Sequence, residues 1–597
     1  MNLLEKNLKA LSAKNASCAE CIQKAGAKAA FTVETSKSGQ PVPKSGGAWM
    51  HSSYHPEEEG LKFAEVNHVV DGADLVVFGF GFGYHLDPAV HMAANVTVIE
   101  PDPAMLMAAL AARNLAGLLE KITLVSPEDF ASIAGGLDYN KTIWLDHEPS
   151  ARLHRRERDI LFEQFYARQA ACRLRLRVLV AGPVYGGSVP TAVSAARALR
   201  ELGFTVDFVD NTVHSAELGS IAEVTPDAHH QAVLKTLFNN YLGERIAARA
   251  EHFKPDVIVV MAQAPLAPQL LDRLREGLKI PVVFWFVENH RAIPYWSAVA
   301  PHYDYFFAMQ KGEFLDKLVK AGAPYAAYLP QAADVSVHHP ARLSAEDVKK
   351  YGSPLSFMGA GYPNRKSFFN GLLDTPLALW GTEWDLHTPL GQRVKNANRR
   401  LSPEEYAKIF LASDINLNLH SSTTHTGIDP LRDFVNPRTF EIAACGSFQL
   451  VDMRDELPEM FVIGEELATF DSEEELREKI AHYLARPDER RKIAEAGMRR
   501  VNFEHTFVNR MASMMSVVIP REEGRIMEAR ARRKGINDVD SLLARTQDAQ
   551  LAGFLEKFRG QGNLSLTNVM DSIAKGDGPL SRPEAIFVMI DQILSQG

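Results

Sequence analysis

Two carboxylates, an amide and a guanidinium fall within one short span: Asp433, Asn436, Arg438 and Glu441. Glu441 lies eight positions after Asp433, on a short helical stretch that ends at Gly446 and feeds directly into an apolar run toward Asp452. A carboxylate so placed can take both hydroxyls of a ribose, while a helix N-terminus and Arg438 offer positive potential to a diphosphate. The chemistry that needs both is recognition of a nucleoside diphosphate carrying a sugar. Glu441 also suits a helix-terminal acid with Arg438 as its surface partner.

A second group is Gly359, Gly361, Arg365 and Lys366, where an apolar strand runs into a glycine loop and a helix begins near Asn364. Glycines let backbone approach a ligand closely, and cations at a helix start meet phosphate oxygens. The nearby Arg393, Lys395, Arg399 and Arg400 read mostly as a solvated loop. Upstream, Gly186, Gly187 and Ser188 form another strand-to-helix turn, open to an acceptor substrate. Glu288 and His290 follow an apolar strand and could serve as general base or orient an acceptor hydroxyl. A polar loop after a core strand would look the same. In the N-terminal part, Gly79, Gly81 and Gly83 with Glu100 make a nucleotide-type glycine loop with an acid on the next strand.

These groups need rigid elements to hold them. From Ala73 onward, short apolar runs alternate with amphipathic stretches, the pattern of βαβ units and a parallel sheet. Three such blocks follow one another. The first places strands at 74–78, 96–100, 122–125 and 142–145. The second places them at 177–183, 205–210, 256–262, 281–287 and 303–309, and the third at 353–358, 377–380, 414–419 and 448–451. Ser472 and Glu475 form a capping box before Leu476, Ile480 and Leu484, and Pro487 closes that helix. The expected division is a helical segment at 1–47, a first Rossmann-like domain at 48–172, a second at 173–337, a linker at 338–352, a third domain at 353–519 and a helical extension at 520–597. The fold class is α/β, with three Rossmann-like domains and a ligand cleft between the last two.

The stretch Asn436, Arg438, Phe440, Glu441, Ala444, Gly446, Asp452 resembles the C-terminal half of retaining GT-B glycosyltransferases, in particular the CgeB-type spore-protein enzymes. The closing pattern Pro487–Arg490, Ala494–Gly497 and His505–Phe507 follows the same family, and the resemblance covers about 355–517. Many relatives carry a glutamate at the first carboxylate, where this chain has Asp433. The resemblance implies that Glu441 holds the donor ribose, that Asp433 faces the sugar, and that Arg365, Lys366 and Arg438 stabilise the leaving diphosphate. It also implies a retaining, metal-independent mechanism in which the leaving phosphate takes the acceptor proton. Met50–Glu59, with the glycine loop and Glu100–Asp102, resembles the N-terminal region of motility-accessory (Maf) flagellin glycosylation proteins. That would make a bacterial flagellin, another protein or a surface glycan the acceptor.

A chain of 597 residues with net charge −9 and 46% hydrophobic residues is a multidomain globular protein with no global pull toward nucleic acid. No run approaches the roughly 18 apolar residues of a membrane span, and Met1–Ala10 does not read as a signal peptide, so the expected location is cytoplasmic. Cys18 and Cys21 make a single C-x-x-C without the second pair a zinc site needs, so no metal is expected. No cofactor is required beyond a UDP-, GDP- or dTDP-sugar donor. The other readings are a non-catalytic scaffold of a glycosylation complex, or an S-adenosylmethionine-dependent methyltransferase acting through Gly79–Glu100. Val77 stands where such methyltransferases usually carry an acid.

Overall fold

The computed structural model describes residues 2–24, 31–87, 89–561 and 564–595. Four sheets carry the chain. The first is a small antiparallel sheet of β1 (Phe31–Thr35), β2 (Pro41–Ser45) and β3 (Ala48–Trp49). It lies largely within 1–47, the stretch expected to be a helical segment. Its strands are short and carry Pro41, Pro43 and five charged or polar residues, so they do not read as a sheet in sequence.

The other three sheets are wholly parallel. One comprises β4 (Asp74–Phe78), β5 (Asn95–Ile99), β6 (Thr123–Val125) and β7 (Thr142–Asp146), in the order β6-β5-β4-β7. The next comprises β8 (Arg177–Ala181), β9 (Thr205–Val209), β10 (Val257–Met261), β11 (Val282–Phe286), β12 (Tyr305–Ala308) and β13 (Ala326–Tyr328), in the order β13-β12-β11-β10-β8-β9. The last comprises β14 (Ser353–Met358), β15 (Leu377–Trp380), β16 (Ser413–Asn418), β17 (Gln449–Asp452) and β18 (Ala468–Phe470), in the order β15-β14-β16-β17-β18. The central strands are continuous β-branched and aromatic runs because helices cover both faces; every residue of β10 and β11 is buried. Two doubly wound sheets in series are the GT-B arrangement.

The order of each sheet fixes where a ligand can sit. In the last sheet the connection from β14 turns to β15 on one side, and the chain returns to β16 on the other. Loops leaving the carboxyl ends of β14 and β16 therefore diverge and open a crevice between them. The same reversal occurs between β8 and β10, and between β4 and β7.

The last long helix, Phe507–Asn537, runs unbroken through Pro520, the point where a separate extension was expected to begin. A proline inside a helix costs about 3 kcal/mol. That cost is outweighed by burial of Met511, Met514, Met515, Val518, Ile519 and Ile526 in the core of the β8–β13 sheet. A fully buried side chain of this size stabilises by about 1.5–3 kcal/mol. The helix thus returns from the last sheet and straps onto the β8–β13 sheet. No helix among the described residues is long and apolar enough to cross a membrane.

Candidate functional site

Between the carboxyl ends of the two larger sheets lies a cavity of about 860 Å³. One wall comes from the β8–β13 sheet: Gly186, Gly187 and Ser188 after β8, then Glu288 and Arg291 after β11. The other comes from the β14–β18 sheet. It consists of Gly359 and Arg365 after β14, Thr382 and Glu383 after β15, Ser421–His425 after β16, and Asn436–Arg438 at the start of the Pro437–Ala444 helix. These are the loops that diverge at the two strand-order reversals.

The N-terminus of the Pro437–Ala444 helix is held by a buried polar chain. Asn436 caps it, accepting from the Thr439 N–H at 3.2 Å, and its own amide donates to Asn418 Oδ1 at 2.8 Å. The Asn436 backbone N–H donates to His420 Nε2 at 2.9 Å, so the ring proton is assigned to Nδ1, which meets Asp452 Oδ1 at 2.6 Å. Burial, then the neighbouring cations Arg454, Arg365 and Arg438, push the His420 pKa well below its ordinary value. The imidazole is neutral, consistent with its accepting role. Asn436 is therefore a positioning residue whose side chain is fully engaged.

Arg438, in the first turn of that helix, lines the cavity, and its Nε is buried without a hydrogen-bond partner. Arg365 also lines it but is spent. Its Nε and Nη2 donate to Leu419 O at 3.0 and 2.8 Å, and Nη1 donates to Ala360 O at 3.0 Å. Instead of reaching freely for phosphate as expected, it ties the loops after β14 and β16 together. Its charge still faces Arg438, and burial with that neighbour lowers its pKa far below the usual guanidinium value. Lys366 is half-buried and outside the cavity wall. Gly361 is also outside it: a Cβ there would meet Glu383 O at 2.6 Å, so the glycine serves loop-on-loop packing. Glu441 is half-buried and does not itself line the cavity; its charge acts on Tyr406, which does.

Asp433 sits where the two sheets' loops meet. Its Oδ2 accepts from Arg291 Nη1 at 2.6 Å and Gln310 Nε2 at 3.2 Å, both from the β8–β13 side, while Oδ1 is buried without a partner. Glu288 lines the cavity and accepts from the Ser188 hydroxyl. Burial raises its pKa, and that hydroxyl opposes the rise. His290 departs from expectation. It is 4% exposed, its ring stacks on Phe314 at 4.3 Å, and Nδ1 faces Gln310 Oε1 at 3.0 Å, outside the cavity wall. Burial lowers its pKa, as for a core histidine.

Several wall residues had no sequence signal strong enough to single out: Tyr406, Thr382, Glu383 and Arg291. Arg400 was grouped with a solvated loop, yet it lines the cavity and donates across it to Gly186 O at 2.9 Å. The signal that could have found Ser421–Thr424 was its place: a polar run directly after β16, at the sheet's reversal point.

In the N-terminal sheet the glycine loop is closed on itself. Glu100 Oε2 accepts from the Phe80 and Gly81 N–H groups at 2.7 and 3.0 Å, and Oε1 from the Asp102 N–H at 2.8 Å. At 6% exposure this carboxylate secures the loop, and the ribose-binding role expected of it has no open face. Gly79, Gly81 and Gly83 all have positive φ. A Cβ on Gly79 would collide with Ser150 at 2.3 Å, and one on Gly81 with His51 Nε2 at 2.7 Å. Side chains of Ser150, His147 and His51 pack directly against the glycine loop. The Cys21 side chain lies outside the described residues.

Residues 365–516 match the family model described as glycosyl transferase-like. The chain is similar to the spore protein CgeB of Bacillus subtilis (strain 168), 25% identical over 286 residues, which cover 45% of this chain and 84% of that protein. Among solved structures, it is similar to a sucrose-phosphate synthase from Thermosynechococcus elongatus. The identity is 11%, with 58% of this chain and 99% of that one covered, at a TM-score of 0.40. It is also similar to Anabaena Alr3699/HepE in complex with UDP and glucose, at 13% identity, 58% and 100% coverage, and a TM-score of 0.40.

Proposed function

We propose that this chain transfers a glycosyl unit from a nucleoside-diphosphate sugar, bound in the cleft between the two larger sheets, to a protein or surface-glycan acceptor such as a flagellin. The observation that carries the proposal is Arg438. It is a cation at a helix N-terminus, on the wall of a cavity large enough for the donor, with a buried guanidinium nitrogen that no protein group satisfies. A diphosphate supplies the missing acceptor. The glycosyl transferase-like match over 365–516 encloses this helix.

On this reading residues 353–519 hold the donor and 173–337 the acceptor. The bond between the anomeric carbon and the diphosphate oxygen breaks as the acceptor oxygen bonds to that carbon. The charge left on the diphosphate is stabilised by Arg438, by the helix N-terminus and, at longer range, by Arg365. In a retaining mechanism the departing phosphate oxygen takes the acceptor proton on the face it leaves. Asp433, with one carboxylate oxygen unpartnered, then faces the sugar. Glu288, with Ser188, orients the acceptor hydroxyl. Glu441 grips the ribose once Tyr406 moves aside.

Incubation with a panel of UDP-, GDP- and dTDP-sugars, scored by nucleotide release with and without acceptor, tests the proposal. Donor-dependent release that Arg438→Ala abolishes supports it. A folded sample that neither binds nor turns over any donor leaves the scaffold reading in its place.

A further inference from the structure

The N-terminal parallel sheet reverses its strand order between β4 and β7, and a crevice is expected there. Three imidazoles fill it, brought from three separate segments. His51 precedes the sheet, His85 follows the glycine loop after β4, and His147 directly follows β7. Their exposures are 5%, 2% and 6%, and one ring nitrogen of each lies within 4.8 Å of the corresponding atom of the others. Neither ring nitrogen of His85 makes a hydrogen bond of ordinary geometry, and the Gly79 backbone is the polar group that acts on the ring. A neutral imidazole always carries one N–H and one lone pair, and leaving either unsatisfied in the interior costs about 1–3 kcal/mol.

Around the trio stand the outer groups that metal-bound histidines use. Glu59 Oε2 faces His51 Nδ1 at 2.7 Å, and Ser150 Oγ faces His147 Nδ1 at 2.8 Å. Each contact leaves Nε2 as the nitrogen an ion would take, in exchange for the backbone groups now acting on these rings, Phe82 on His51 and Met50 on His147. We propose that His51, His85 and His147 bind one divalent transition-metal ion of the zinc class, with Glu59 as the outer carboxylate that sets the His51 tautomer. Three imidazoles in a closed, thiolate-free site suit zinc, cobalt or nickel and not calcium or magnesium.

The present ring positions define what binding changes. His85 and His147 stack at 4.3 Å and 12°, and His51 and His147 at 4.6 Å and 27°, so binding requires the rings to rotate out of their stack until their lone pairs converge. His51 Nε2 now accepts the Phe82 N–H at 2.9 Å and exchanges it for the ion. Gly81 is the residue that leaves the ion room: its missing Cβ would lie 2.7 Å from that nitrogen. The ion ties the pre-sheet segment, the glycine loop and the end of β7 together, a role distinct from the glycosyl-transfer cleft.

The test uses the full chain, stripped with a chelator and titrated with Co²⁺, whose visible absorption reports low-coordinate nitrogen ligation. The expected result is one Co²⁺ per chain, displaced by Zn²⁺ and accompanied by a raised unfolding temperature. His85→Gln and His51→Gln should each weaken binding at least tenfold. His425→Gln, at a cleft histidine, should leave it unchanged. If a trio variant fails to fold, the wild-type chain still decides, because X-ray absorption of its Zn²⁺-loaded form should show histidine nitrogen ligation without sulfur, and sulfur ligation would overturn the proposal. A folded, stripped wild-type chain that takes up no Co²⁺ or Zn²⁺ overturns the proposal. So does uptake that both trio variants retain in full.

Discussion

Replacing Arg438 by alanine separates ligand binding from folding more cleanly than any other change in the cleft. Arg438 has a buried Nε without a partner and faces Arg365, a like charge, so its removal breaks no recorded bond and relieves a repulsion. The folded state should lose little: under about 1 kcal/mol, in line with substitutions that break no network. A charge-assisted hydrogen bond to a phosphate contributes about 1.5–3 kcal/mol. At 1.4 kcal/mol per tenfold, donor or nucleoside-diphosphate affinity should fall roughly 10- to 150-fold. Arg365→Ala provides the contrast. Its guanidinium makes three hydrogen bonds to Leu419 O and Ala360 O from a site 2% exposed. Losing them strands buried carbonyls, at about 1–3 kcal/mol for each group left unsatisfied, so this variant should melt well below wild type. Calorimetric titration with UDP, GDP and dTDP, alongside thermal unfolding of both variants, reads the two effects. An Arg438→Ala chain that binds like wild type, or unfolds as early as Arg365→Ala, refutes the reasoning.

Four other changes have definite expectations. Asp433→Ala should abolish transfer while costing less than about 1 kcal/mol of stability, since its ion pair with Arg291 is partly exposed on both sides; activity and unfolding assays on one preparation check this. Gly186 has φ +104, and a Cβ there would meet Gln263 Oε1 at 2.9 Å, so Gly186→Ala should shift the loop and raise the acceptor KM more than the donor KM in steady-state kinetics. Glu441→Ala should weaken donor binding in a still-folded protein, and unchanged calorimetric affinity would remove its ribose role. Glu456 is 2% exposed, and burial pushes its pKa up to about 7 against Tyr328. A carboxyl with a raised folded pKa lends stability fully below the unfolded value near 4.5 and loses it as pH rises through about 7. Glu456→Gln should therefore gain stability relative to wild type at pH 8, by up to about 3 kcal/mol at 1.36 kcal/mol per unit, with the gain vanishing near pH 4.5 in denaturant melts.

The parallel sheets were readable because their strands are buried on both faces and so appear as continuous apolar runs. The expected spans 74–78, 353–358 and 377–380 coincide with β4, β14 and β15. The short edge strands β13 and β18, three residues each, had no expected counterpart, whereas β6, equally short, fell within the expected span 122–125. Ser472 does cap its helix, but the Glu475 carboxylate reaches the Asp471 N–H in place of the Ser472 N–H, a difference of one residue that no pattern distinguishes. At the cleft, sequence position located the loops and not the orientation of their side chains. Arg365 and Lys366 are adjacent helical cations, and one is pulled inward by carbonyls from a loop more than fifty residues away while the other lies outside the wall. His290 was drawn into the core by Phe314, and Arg400 reached across to Gly186, through contacts between segments distant in sequence. The glycine loop of the N-terminal sheet resembles a nucleotide site because both need backbone without Cβ atoms. Here the close neighbours are His51, His147 and Ser150.

The most direct measurement is a crystal structure of the chain soaked with each nucleoside diphosphate in turn. The diphosphate should lie at the N-terminus of the Pro437–Ala444 helix, within hydrogen-bond reach of the Arg438 guanidinium, with the sugar end directed toward Asp433 and Glu288. A nucleotide bound elsewhere, or a cleft that stays free of every nucleotide under conditions where the crystal admits them, would contradict the account.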